Sequence, residues 1–130
     1  MQISDEQFSQ IIAEAVESLP EKYTKLLKDQ NVVIVYEDEP THGQRQKMHL
    51  RDNQTLFGLY EGIPMTQRGA GYNLVLPDKI TIFKLPIVHA SRDVADLKKQ
   101  VRHTVWHEIA HHFGLDHDQI HKLDGTDQEG

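Results

Sequence analysis

Cysteine is missing from all 130 residues. That excludes a disulfide framework and any thiolate metal site, so a metal here would have to be held by imidazole and carboxylate. Long apolar runs are missing too, and nothing approaches the roughly 20 residues of a membrane span. The first residues, Met1 to Gln7, carry no basic start and no apolar stretch. No signal peptide is therefore expected, and a cytoplasmic protein without a membrane partner is. Positive charge is in deficit. The formal net charge of −6 argues against nucleic acid as the main partner. The length suits a single domain over 1–130. Such a chain has a real core but buries only about two-thirds of its unfolded surface.

Histidine is plentiful, with nine in the chain. Four of them fall in His107-Glu108-Ile109-Ala110-His111-His112-Phe113-Gly114-Leu115-Asp116-His117, which reads H-E-x-x-H-x-x-G-x-x-H without a gap and places His107, His111 and His117 at its fixed His positions. His107 and His111 are four apart, so a helix stacks them one turn apart on one face. Two imidazoles so placed can hold one tetrahedral metal ion, most often zinc. Glu108 projects beside them and can reach a metal-bound water without being a ligand, where a general base for hydrolysis belongs. Gly114 can adopt the left-handed conformation that ends a helix and turns the chain back. The turn lets His117 supply a third nitrogen, and three protein ligands leave a fourth position open, as in catalytic zinc sites. Asp118 and His121 are fallback ligands if His117 points away, and Asp116 or Asp118 could orient a ligating ring. The contrary reading is a His-rich surface helix with no metal.

This motif resembles that of the zincin metallopeptidases in the extended form used by metzincins. The short chain and the sequence His107 to Gly114 are similar, more narrowly, to the small bacterial mini-zincin family of zinc metallopeptidases. Leu56 to Pro64 and Leu76 to Phe83 add to the likeness, which spans roughly residues 55 to 124. The resemblance implies a minimal α+β zincin-like fold. A small mixed sheet of three to four strands would pack on N-terminal helices and a long active-site helix, with a short C-terminal helix after it. It also implies one zinc ion per chain on His107, His111 and His117, with Glu108 as base. Two departures stand out. Position 117 is His, where members of the small family often have Asp. The methionines are Met1, Met48 and Met65, so none follows His117 to form the methionine turn of metzincins.

Along the chain, Ser4 and Gln7 form a capping-box pattern. Phe8, Ile11, Ile12, Ala15, Val16 and Leu19 recur at helical spacing, predicting a helix over 5–18. Pro20 suits the first turn of a second helix, with Tyr23, Leu26 and Leu27 inward. Val32 to Tyr36 is a β-branched run that predicts a strand buried on both faces. Residues 37–55 read as a long polar loop or flap, with His42 and His49 as surface residues. Strands are expected over 56–60, 72–76 and 80–83, the last ended by Pro86. The Tyr72–Phe83 region is expected, from the resemblance, to be the sheet edge that an extended substrate pairs with. Ser91 reads as the N-cap of an uninterrupted helix from Arg92 to Phe113, with Val94, Leu97, Val101, Val105 and Ile109 as its core stripe. His103 lies on the metal side but one turn back from sharing an ion with His111. His112 lies over the apolar stripe.

The expected activity is hydrolysis of a peptide or protein substrate by a metal-activated water. Arg68, Tyr72 and Tyr60 are candidate oxyanion donors. Two alternatives belong to other classes. One is a metal-binding or partner-binding module without turnover. The other is a metal-dependent endoribonuclease, whose H-x-x-x-H-x-x-G-x-D-H pattern is similar to His107, His111, Gly114, Asp116 and His117 but does not need Glu108.

Overall fold

Ser4 caps the first helix as its pattern predicts. Its hydroxyl accepts from the Gln7 backbone N–H at 3.1 Å, and its own N–H donates to the Gln7 side chain at 2.8 Å. A computed structural model describes residues 1–50, 56–62 and 78–113, the last three of these as helix backbone only. Helix α1 runs Asp5–Glu17 and buries Phe8, Ile11, Ile12 and Ala15. Helix α2, Glu21–Asp29, follows Pro20 and buries Tyr23 and Leu27. The remaining elements are β1 (Val32–Glu37), α3 (His42–Lys47), β2 (Gly58–Glu61), β3 (Asp78–Phe83), α4 (Lys84–Ala90) and α5 (Val94–Phe113). The expected short strand at 72–76 and the helix after His117 lie outside the described residues.

The three strands form a mixed sheet in the order β1-β3-β2. β3 pairs parallel with β1 and antiparallel with β2, with Ile80 opposite Ile34 on one side and Tyr60 on the other. Ile80 and Ile82 are fully buried and join Phe8, Ile12, Leu97, Val101, Val105 and Ile109 in one core. An α+β architecture with helices packed on a small mixed sheet is therefore what the chain adopts.

Several local expectations are corrected. β1 is not buried on both faces. It is the sheet edge among the described residues, and Val33 and Val35 are 39% and 37% exposed while Val32 is buried. The β-branched run reflects strand preference there, and burial follows the ordinary alternation. β3 lies in the centre of the sheet, so its backbone bonds are taken on both sides and residues 78–83 cannot be the edge that meets a substrate. The polar stretch 37–55 contains helix α3. Thr41 and Gln44 make a second capping box, with bonds of 3.1 and 2.8 Å, a pattern that a reading by apolar periodicity passes over. β3 passes directly into α4 at Lys84, so Pro86 sits in a first helical turn, where its missing N–H costs nothing. Finally, Asp93 rather than Ser91 caps α5, its carboxylate accepting from the Asp96 N–H at 2.8 Å. Asp96 in turn accepts from the Arg92 backbone N–H at 2.9 Å, and that bond is the chief reason its carboxyl lies below its ordinary pKa. Val94, at the helix start, is 46% exposed and stands outside the core stripe.

Candidate metal centre and catalytic cleft

Helix α5 has 20 residues and is about 30 Å long. Its character changes along that length. In the first half only one side is buried, chiefly through Leu97 and Val101. In the second half Thr104, Val105, Trp106, Ile109 and Ala110 are all buried. Successive residues turn by about 100°, so these five span most of the circumference. The described part of that half is thus packed over roughly two-thirds of its circumference. Trp106 ties this half to α1. Its indole Nε1–H donates to the Ala15 carbonyl of α1 at 3.3 Å, a partner that a buried indole requires.

His107 and Glu108 emerge in the sector that Trp106 and the core stripe leave open. Both line a cavity of about 340 Å³ together with Leu56, Phe57, Gly58, His103 and Thr104. The far wall is the start of β2. A Cβ built on Gly58 would lie 2.7 Å from the Thr104 methyl and 3.4 Å from Cγ of Glu108. Only a residue without a side chain lets the strand pass this close to the helix. Phe57 fixes the approach from the other direction, since its carbonyl accepts from the Phe83 N–H at 2.8 Å. The strand nearest to Glu108 is therefore β2, the outer strand on that side among the described residues.

The remaining candidates fall as follows. The His111 backbone lies in α5, one turn after His107, which is the placement its spacing predicts. Its side chain, that of His112, and residues Gly114, Asp116, His117, Asp118 and His121 lie outside the described residues, as do Arg68 and Tyr72. Among the described residues, no three His, Asp or Glu side chains converge on one point. Tyr60 serves the sheet instead, its hydroxyl donating to the Asp78 carboxylate at 2.6 Å. Glu61, next to it, accepts from the buried Gln44 side chain of α3 at 2.9 Å. His42 and His49 are exposed, as expected.

Sequence reasoning missed the frame of the site. Gly58 and Thr104 set the separation of strand and helix, and His103 packs its ring on His107, the ring centroids 4.0 Å apart. The signal for Gly58 was available, since a lone glycine inside a strand pattern marks a close backbone approach. The local chemistry suits a divalent cation. His107 offers an imidazole whose Nε2 is shielded from solvent, on a helix that brings a second His one turn along. The adjacent carboxylate of Glu108 shares the cavity. Two imidazoles one helical turn apart are donors that zinc accepts.

No helix among the described residues is long and apolar enough to cross a membrane. A comparison with curated proteins gives no match. The family of zincin-like metallopeptidases, by contrast, matches residues 29–126, which takes in the whole sheet, α5 and the H-E-x-x-H motif. With that match over most of its length, the chain belongs to the zincin-like metallopeptidases, a family that generally binds zinc.

Proposed function

We propose that this chain is a zinc-dependent peptidase. In this reading His107, His111 and His117 hold one ion, and Glu108 is the general base. The observation that carries it is the meeting of His107 and Glu108 in one cavity beneath β2. Zinc, when bound, supplies Lewis-acid polarisation of a carbonyl and a water that is nucleophilic near neutral pH. The Glu108 carboxylate takes a proton from the attacking water as its oxygen adds to the scissile carbonyl carbon. The carbon–nitrogen bond then breaks. The same proton passes from Glu108 to the departing amine nitrogen, which leaves the carboxylate ready for another cycle. An extended peptide laid against β2 would add main-chain bonds with little demand on its sequence. A chain of 130 residues leaves little room for a large cleft, which favours short or extended peptides over folded proteins.

The test is cleavage of a mixed peptide library, read by mass spectrometry, with zinc-loaded wild type and Glu108→Gln. The variant should keep its zinc and lose about 10²- to 10⁴-fold in turnover. Activity should vanish with a chelator and return with zinc. Equal cleavage by both proteins would refute the base assignment. No cleavage by zinc-loaded wild type would favour the non-catalytic module, and cleavage of RNA instead would favour the ribonuclease.

A further inference from the structure

His103 has no place in the H-E-x-x-H pattern, yet its ring lies against that of His107. The centroids are 4.0 Å apart and the planes are tilted by 41°. The contact follows from spacing, because residues four apart on a helix are surface neighbours. The pair lines the same cavity as Glu108 and Gly58. An imidazole that ligates a metal must present its nitrogen along one direction. Its second side-chain torsion, however, is a broad, roughly two-fold rotor that sets no such direction by itself. Something outside the ring has to hold the plane. In many metal sites a hydrogen bond to the second ring nitrogen does so. Contact with a second ring can restrain the plane as well, and here the His103 ring lies against that of His107.

We propose that His103 is a positioning residue whose ring, by its contact with the His107 ring, holds that imidazole in its metal-binding orientation. The inference rests on the metal site proposed above. It assigns the effect to the ring of His103 and not to its nitrogens, and that separates it from a role as an extra ligand or a hydrogen-bonding partner. Three substitutions distinguish these roles. His103→Phe keeps a flat ring and removes both nitrogens. His103→Asn keeps a polar group near the position of Nδ1 and removes the ring. His103→Ala removes both.

The experiment measures zinc affinity of the full chain by competition with a chromophoric chelator, with folding of each variant checked by circular dichroism. Ala and Asn should bind zinc about tenfold more weakly than wild type, and Phe should stay within about twofold. Rescue by Phe is the signature that a nitrogen-based role would not give. Asn binding like wild type while Phe fails would overturn the proposal, as would Phe failing as badly as Ala. His107→Ala is the control for the underlying reading. If it loses zinc while all three His103 variants match wild type, only the positioning role falls. If it binds zinc as wild type does, the metal site itself is misassigned and the positioning role falls with it.

Discussion

Gly58 and Thr104 show how a single missing side chain can set the geometry of a site. The Thr104 hydroxyl donates to the Gln100 carbonyl at 2.8 Å, which pins its rotamer and aims its methyl at the strand. A methyl added at Gly58 would meet it at 2.7 Å, and a β-branched side chain has few other rotamers to move to. Either the strand retreats from the helix or the threonine breaks its bond. Gly58→Ala is therefore expected to destabilise the fold by about 1–3 kcal/mol, read as a lower urea midpoint at unchanged slope. Thr104→Ser removes the offending methyl and keeps the hydroxyl. On its own it should cost about 1 kcal/mol, as deletion of one buried methyl. In the Gly58→Ala background it should cost less than that or restore stability. A strictly additive double-mutant cycle would show that the two residues do not meet.

Elements whose signal is apolar periodicity were legible; α3, which has polar caps and no apolar stripe, was not. The stripe Phe8, Ile11, Ile12 and Ala15 names α1 and its buried face in advance. The stripe Leu97, Val101, Val105 and Ile109 does the same for α5, because burial alone decides which face turns inward. Helix α3 has no such stripe, and its buried residue is Gln44. It is defined by the Thr41 capping box at one end and a backbone lock at the other. There the Leu50 N–H donates to the Arg45 carbonyl at 2.9 Å and the His49 N–H to the Gln46 carbonyl at 3.1 Å. That pair of bonds is a Schellman closure, and it places His49 at φ 56°, a region glycine enters without strain and L-residues enter at a cost of about 1–2 kcal/mol. Glycine gives part of this back through its freer unfolded state. The expected result of His49→Gly is a gain of up to about 1 kcal/mol in chemical denaturation, with the site untouched. A loss of stability would mean that the His49 side chain does more than close the helix.

On the scale of the whole molecule, sequence order separates the parts of the site, and tertiary pairing alone brings them together. The spacing of His107, Glu108 and His111 is local and could be read directly. That β2 rather than β3 borders Glu108 depends on the order β1-β3-β2, which is a non-local choice that no short-range pattern fixes. The site therefore joins an N-terminal helix through Trp106 and Ala15, a sheet through Gly58, and the motif helix itself. An ion bound there should stabilise the entire fold and not one loop, since ligands that favour the native state raise its stability by mass action. At about a thousand times its dissociation constant, zinc would add about 4 kcal/mol. With roughly 4 °C per kcal/mol for a chain of this size, the unfolding temperature should rise by about 15 °C. Calorimetry with and without a chelator reads this directly, and His107→Ala should abolish the shift. The third ligand can be assigned in the same way. His117→Ala should remove most of the shift, whereas Asp118→Ala and His121→Ala should leave it nearly intact. A shift that survives His117→Ala but is lost with Asp118→Ala or His121→Ala would move the third ligand to that residue. A shift that survives His107→Ala would place the stabilising ion elsewhere, on surface histidines such as His42 or His89, and would separate metal binding from the H-E-x-x-H motif.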